Sequence, residues 1–533
     1  MVLVSVFLFS AGSFAGTNAD SRAGNKYIKT APAAPVFTSA RRHEELAARR
    51  RRVADALEDN GVLVLFSAPS KLYANDVDYV YRQENNLFYL TGLRQNGLTL
   101  VISKKGGEVS ETLFLPKRNP RFETWNGRMY SDQDAIGISG IQKIVDANQR
   151  DGFLDGLVSG TPKVYLLQGD KREYPAAYEF GDKLPDSRVR NALPIFARLR
   201  LVKSPYEIEI MQHSIDITSE ALMRSMGMIG RAQWEYEVQA EVEYTFRRRN
   251  ADFWGYPSIV GCGPNATTLH YVESQGRIRK NDLMLMDVGA EYDHYTADIT
   301  RTFPVNGKFS REQAEIYQIV YDAQEAAARE LKPGAKVADA ANAARQVIVE
   351  GLFRLGLITD KKNSQQYRLW YLHGWGHWLG MNVHDVGNYN VTLAEGMMMT
   401  NEPGIYIREN SLELLPETEE WQAFKEKVGP VFEKYKNIGV RIEDDMLITK
   451  TGVEWMSKDL PRSIGDVENF MAGAKKEMDR YAVRKTLKDE PESNVFALND
   501  FLPTGNRFDM KSGESRRSMV DRNGKTLFVR THL

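Results

Sequence analysis

"LMLMDVGAEYDHYTADITRTFPV", residues 283 to 305, carries two apolar runs around a polar centre, and its aspartates Asp287 and Asp298 stand symmetrically about a midpoint between Tyr292 and Asp293. Folded as a hairpin about that midpoint, the segment sets the two carboxylates directly opposite each other. Opposed residues of an antiparallel pair have Cβ atoms about 4.5–5.5 Å apart on one face, which suits two carboxylates jointly holding metal ions about 3.5–4 Å apart. Without cations the two would repel. A lone aspartate here would more simply face solvent or cap the turn, but the apolar runs on both strands argue that this face is buried.

Two further acids occupy apolar settings. Glu402 follows three methionines in "MMMTNEPGIYI", and Glu443 interrupts a strand-like run in "IGVRIEDDMLIT". Buried acids are rarely tolerated unless paired or coordinating. For Glu443 the neighbouring Asp444 and Asp445 allow an exposed acidic turn instead, and Arg441 allows simple neutralisation.

The stretch "HGWGHWLGMNVHDVG", residues 373 to 387, adds His373, His377 and His384. A four-residue histidine spacing suggests the helical zinc pair of H-E-x-x-H, yet Gly374 stands where that glutamate belongs. Each of Gly374, Gly376 and Gly380 disfavours a helix by about 1 kcal/mol relative to alanine. Leu379, Met381 and Val383 alternate instead, which predicts a strand. Any one of these histidines alone reads as a core residue satisfied by hydrogen bonds. Two aspartates, two glutamates and one histidine together form an oxygen-rich set that suits a pair of hard divalent ions, manganese above zinc.

A chain of 533 residues implies two or more domains. Lys and Arg total 70 against 71 Asp and Glu, a net charge of −1, so the electrostatic footprint of a nucleic-acid binder is missing. The basic runs at 41–42 and 49–52 are interleaved with Leu46, Val53 and Leu57 at helical spacing, which predicts a solvated helix face. The single cysteine, Cys262, excludes an internal disulfide and a thiolate metal cluster. Residues 1–15 read as a short signal peptide for export, periplasmic or secreted, with Ser13 and Ala15 placed like a cleavage site; no Lys or Arg precedes the apolar run, and a cytoplasmic chain is the alternative. No other stretch approaches the ~20 apolar residues of a membrane span.

Residues 16–40 read as a linker. Residues 41–195 carry strand-like runs, "GVLVLFSA", "GLTLVIS" and "KVYLLQG", after a helical opening, and predict an α/β domain. Ser204, Pro205 and Glu207 form a helix-start signature that opens a second, mixed helix and strand domain, 196–457. Residues 458–533 turn polar and carry no recognisable chemistry.

These segments resemble the pita-bread metallopeptidases, and within them Xaa-Pro aminopeptidase, or aminopeptidase P. The elements that carry the resemblance are "SIVGCGPNATTLHY", the hairpin, "HGWGHWLGMNVHDVG", "NEPGIY" and "GVRIEDDMLIT", in the family's order, preceded by "NDVDYVYRQENNLFYLTGL" in the first domain. The resemblance implies an N-terminal creatinase/aminopeptidase P-like α/β domain followed by a pita-bread catalytic domain. It implies metal ligation by Asp287, Asp298, His377, Glu402 and Glu443, with His270, His373 and His384 as unmetallated active-site histidines. Two divalent ions, Mn2+ above others, would then activate a hydroxide for attack on the Xaa-Pro bond. Glu402 is the expected general base, His384 and His270 the oxyanion-stabilising groups, and Arg441 a support for the ligands. The implied partners are peptides with an N-terminal Xaa-Pro sequence, with no nucleic acid and a homo-oligomeric assembly. Prolidase, which cleaves Xaa-Pro dipeptides, shares the ligand set, and "GHWLG" lies closer to aminopeptidase P. A catalytically inactive pita-bread binding module is the alternative from another class.

Overall fold

A computed structural model describes residues 26–160, 162–487 and three strands between Pro503 and Thr531. The proposed signal segment lies outside the described residues. The chain divides into two units, 1–477 and 478–533.

The first unit opens on the helix Ser39–Ala56, capped by the Thr38 side chain. Leu46, Val53 and Leu57 face inward as their spacing predicts. The arginine run departs from expectation, because Arg49 and Arg50 are buried too. Arg49 reaches Glu45 and the Tyr89 carbonyl; Arg50 reaches Glu111 and the Leu90 and Ser139 carbonyls. Buried guanidinium groups are tolerated when most of their donors are bonded and a carboxylate lies near, as Glu207 does 3.8 Å from Arg49 Nη2.

The three runs read as strands are strands of one six-stranded mixed sheet. Its order is Ile144–Asp146, Glu108–Leu115, Thr99–Lys105, Gly61–Phe66, Lys163–Leu166 and Val189–Asn191. Val62, Val64, Val101, Phe114 and Val164 build the core on one face of it.

The Ser204 capping box starts a 24-residue helix, Pro205–Met228. Beyond it, short antiparallel sheets are covered by the helices Glu235–Arg248, Arg311–Glu330, Val337–Leu355 and Glu419–Tyr435. This α/β domain followed by a mixed helix and antiparallel-sheet domain is the expected fold class.

The hairpin at 283–305 forms, but its register corrects the sequence reading. Asp287 lies opposite Thr300, and Tyr292 opposite Tyr295, so the turn residues are Asp293 and His294. Both have positive φ, 50° and 66°. A two-residue hairpin turn of this kind needs left-handed backbone at both positions, which Asp and His adopt far more readily than Tyr. Centring the turn one residue later shifts the pairing by two. Side-chain parity is therefore kept, and Asp298 stands diagonal to Asp287 on the same face rather than opposite it.

The first domain grips this hairpin. Arg94 donates to Asp252 and Asp293 at 2.8–2.9 Å, Arg82 donates to Glu291, and Phe88 stacks on His294 with ring centroids 3.8 Å apart.

Parts of the predicted linker and C-terminal extension are also docked. Tyr27 packs edge-on against Phe470 of the helix Ile464–Leu487, whose Val467, Met471 and Ala474 are buried. The second unit's described strands, Pro503–Phe508, Ser515–Val520 and Thr526–Thr531, pair in an antiparallel meander.

Candidate active site

Every side chain singled out from sequence lines one cavity of ≈ 640 Å³: His270, Asp287, Asp298, His373, His377, His384, Glu402, Arg441 and Glu443. A larger groove of ≈ 800 Å³, lined by Asp322, Arg345 and Lys361 among others, contains none of them, so chemistry and not size marks the site.

Five chain segments deliver these groups, His270 coming from the irregular stretch after Gly263–Thr267. Asp287 comes from the strand Leu283–Val288, and Asp298 precedes Ile299–Pro304 at a break in the hairpin ladder. Opposite that break sits Gly289, where a Cβ would meet the Ala297 carbonyl oxygen at 1.9 Å. Only glycine permits this approach. Freed from the ladder, the Asp298 N–H donates to Asp445 Oδ2 at 3.1 Å.

Glu402 lies between the strands Met398–Asn401 and Gly404–Ile407, and Glu443 between Ile438–Arg441 and Asp444–Ile448. The exposed acidic turn considered for Glu443 is not formed, because Glu443, Asp444 and Asp445 are all buried. Asp444 turns away from the cavity to Arg301, at 2.6 Å, and Gln324, at 2.9 Å.

The histidine segment corrects a second expectation. Leu379–Val383 is irregular and not a strand. Pairing occurs earlier: Thr400 N–H donates to His377 O, Leu379 N–H to Met398 O and Glu402 N–H to Trp375 O. The chain then folds back, with Asp385 N–H donating to Trp378 O at 2.8 Å, and this ends any extended run.

His377 Nε2 lies 3.3 Å from both Asp298 Oδ2 and Glu402 Oε1. Ligand atoms of Asp298, His377 and Glu443 all fall within 4.8 Å of one another. Asp287 joins them through Tyr256, whose hydroxyl donates to both Asp287 and Asp298. Thr300 donates to Glu443 at 2.6 Å. Arg441 donates to Asp287, to the Tyr406 hydroxyl and to Thr300. His373 Nε2 meets the Tyr406 hydroxyl at 2.7 Å, and the His384 ring lies 4.2 Å from that of His377. His270 and His384 are exposed at the cavity wall.

Sequence reasoning missed Tyr256 and Thr300. Neither carries a signal of its own, since a tyrosine before proline and a threonine in a strand are ordinary residues. Tyr406 appeared in "NEPGIY" without an assigned contact.

The electrostatics are those of a site short of positive charge. Burial and then the neighbouring Asp287 push the Asp298 carboxyl up to about 6. Burial pushes Glu402 up to about 7 and raises Glu443 well above the carboxylate range. For His377, burial disfavours the imidazolium, but Asp298 and Glu402 outweigh it and raise the pKa to about 9. His373 is driven down to about 3 by burial and by Arg441. Four carboxylates and an imidazole thus converge out of water beside one guanidinium. This hard, oxygen-dominated donor set fits divalent cations.

Residues 209–450 match the metallopeptidase family M24, and residues 46–165 match the aminopeptidase P N-terminal domain. Among curated relatives, the chain is 36% identical over 442 residues to a Xaa-Pro aminopeptidase of Haemophilus influenzae, covering 80% of this chain and 97% of the relative. A Xaa-Pro aminopeptidase of Escherichia coli is 32% identical over 460 residues, covering 81% and 99%. Among solved structures, E. coli aminopeptidase P with the inhibitor Pro-Leu superposes with a TM-score of 0.74 at 30% identity, covering 83% of this chain and 100% of that one. Divalent-metal use accompanies this family. The buried acidic site, the two domain matches and near full-length similarity to these relatives agree: the chain belongs to the M24 metallopeptidases, with an aminopeptidase P N-terminal domain ahead of the catalytic one.

Proposed function

We propose that the chain is a metallo-aminopeptidase that releases the first residue from peptides whose second residue is proline. The observation that carries this reading is the convergence of all the expected ligands and histidines on one cavity. Asp287, Asp298, His377, Glu402 and Glu443 would hold a pair of divalent ions, and the oxygen-rich donor set favours manganese. Such a pair, when bound, supplies Lewis acidity and lowers the pKa of water to near neutrality.

The remaining chemistry falls to the protein's own groups. Glu402, facing His377 at 3.3 Å beside the place of the attacking water, accepts a proton from that water and returns it to the departing ring nitrogen. His384 and His270, exposed at the wall, face the substrate carbonyl and stabilise negative charge on its oxygen. Arg441, through Asp287 and Tyr406, holds the acidic cluster in place. The acidic cluster also attracts the free amino terminus, which limits removal to one residue.

Physical chemistry gives proline a place here. An Xaa-Pro bond has no amide hydrogen and a φ fixed near −65°. Proteases that bind an extended, hydrogen-bonded backbone lose contacts at such a bond, whereas this site needs only a polarised carbonyl and a proton donor for the ring nitrogen. The test compares Arg-Pro-Pro, Arg-Ala-Ala, amino-acetylated Arg-Pro-Pro and the dipeptide Ala-Pro, each with added manganese. Fast cleavage of the first alone, abolished by chelator, is expected. Equal cleavage of Arg-Ala-Ala would sink the proline requirement, and hydrolysis of Ala-Pro with none of Arg-Pro-Pro would assign a prolidase.

Among the described residues no helix is long and apolar enough to cross a membrane. Export through residues 1–15 and homo-oligomeric assembly belong to the same proposal. N-terminal sequencing of the mature protein and light scattering check them.

A further inference from the structure

We infer that Glu235, outside the acidic cluster, is a positioning residue that aims the His270 loop into the cavity. The inference rests on the active-site reading above.

Glu235 is the first residue of the helix Glu235–Arg248, and it is completely buried. Its carboxylate is filled from both sides by neutral donors. Oε1 accepts from the Cys262 N–H at 2.6 Å and from Asn265 Nδ2 at 3.0 Å. Oε2 accepts from the Tyr271 hydroxyl at 2.8 Å and the Gly276 N–H at 2.6 Å. A single side chain thus ties together both ends and the middle of the segment 262–276. Gly276 is required for this, since a Cβ there would lie 2.6 Å from both carboxylate oxygens.

That segment is one wall of the catalytic cavity. Leu269, His270 and Val272 line it, and Tyr271, held by Glu235, sits between them. Between Thr268 and Gln275 no regular element forms, so no helix or strand fixes the direction in which His270 points. The anchor at Tyr271 and the packing of Leu269 and Tyr271 on Ile259, Leu285 and Tyr406 do so instead.

The residue type follows from the partners. Four donors aimed at one planar group need its four lone-pair positions, which a carboxylate offers and an amide does not. In Glu235→Gln the new NH2 faces donors on one side, so at least one anchor is lost with almost no change of volume. A buried carboxyl group held by neutral donors alone, as Glu235 is among the described residues, is an expensive way to hold a loop, and it fits a loop whose direction matters.

The test is a double-mutant cycle in the full-length, manganese-loaded enzyme with Arg-Pro-Pro as substrate. Glu235→Gln and the milder Tyr271→Phe are each made alone and together with His270→Ala. We expect Glu235→Gln to lower kcat/KM about 10–100-fold and Tyr271→Phe several-fold, in both cases with bound metal retained. Both effects should shrink to less than about twofold in the His270→Ala background. Effects that persist undiminished in that background would show that Glu235 serves only the fold and would overturn the inference, as would wild-type kinetics in Glu235→Gln. If Glu235→Gln does not fold, Tyr271→Phe decides by the same cycle. The unmodified enzyme separates the two claims. Its failure to cleave any Xaa-Pro peptide overturns the proposed function, whereas a proline-dependent enzyme with additive variants overturns the role of Glu235 alone.

Discussion

Arg441 donates from Nη2 to the Asp287 carboxylate in the floor of the cavity, where both residues are buried. The same guanidinium reaches the Tyr406 hydroxyl, so it connects Asp287 to the partner of His373. Removing one member of a buried ion pair costs about 3–5 kcal/mol. Arg441→Gln should therefore lower the melting temperature of the metal-free protein by several degrees and widen the gap between metal-free and metal-loaded forms. Turnover should fall about 10–100-fold, as for other groups that orient metal ligands. Calorimetric scans with and without chelator, alongside peptide kinetics, check both. An unchanged metal-free melting temperature would remove the electrostatic role.

Asp298 and His377 face each other at 3.3 Å. Asp298→Asn and His377→Ala should each abolish turnover and leave the purified protein with less than the full complement of metal. Plasma emission spectrometry on dialysed protein is the measurement. Either variant that retains full metal and normal turnover is not missing a ligand. An inactive binding module predicts a wild type with no metal-dependent turnover at all.

How much of this was legible before folding depended on the range of the interaction. The Ser204 capping box and the inward Leu46, Val53 and Leu57 are local patterns, and each formed as read. The pairing of Asp287 needed the centre of a turn, and that depended on which residues accept positive φ, a property the symmetry of the two aspartates does not encode. The acids after Ile442 allowed a solvent-facing turn because their partners, Thr300 for Glu443, Arg301 and Gln324 for Asp444 and the Asp298 N–H for Asp445, lie far away in sequence. Leu379–Val383 alternates as a strand does, but the return of Asp385 to Trp378 folds the segment back. Tyr256 reaches Asp287 and Asp298 only in three dimensions.

Gly289 lets the hairpin close tightly enough for Asp298 to leave the ladder. A methyl group there would lie 1.9 Å from the Ala297 oxygen and 2.9 Å from the Tyr256 ring. Overpacking of this kind costs typically about 1–3 kcal/mol and is relieved by backbone shifts. Gly289→Ala should therefore lose both stability and metal occupancy, since the shift moves Asp298 and Tyr256 together. Phe303→Leu serves as the control, being buried on the opposite face of the same sheet. It should lose stability with metal occupancy intact. Equal metal retention in both variants would mean that the close approach at Gly289 does not set the site.

Metal affinity should rise steeply with pH across the neutral range, and the sign follows from four groups in the metal-free site, among them Glu443, whose carboxyl burial raises well above its usual range. Asp298 and Glu402 carry pKa values raised to about 6 and about 7, in both cases chiefly by burial, and His377 is raised to about 9 by its carboxylate neighbours against the opposing effect of burial. Each holds a proton to a higher pH than it would in water, and a cation must displace each of those protons in order to bind. Above about pH 9 Asp298, Glu402 and His377 are free of protons, and affinity no longer depends on those three. Between about 9 and 7 the His377 proton competes in addition to any held by Glu443, and the apparent Kd should rise at least about tenfold for each unit of acidification. Between about 7 and 6 Glu402 adds a further proton, and below about 6 Asp298 adds another, so the slope steepens. Manganese titrations by calorimetry at pH 8.0, 7.0 and 6.0, repeated in buffers of different ionisation enthalpy, count the released protons directly. Release of more than one proton per site at pH 7 is the expected result. Proton-independent binding over this range would mean that the acids are already ionised in the metal-free protein, and that Arg441 alone neutralises the cluster.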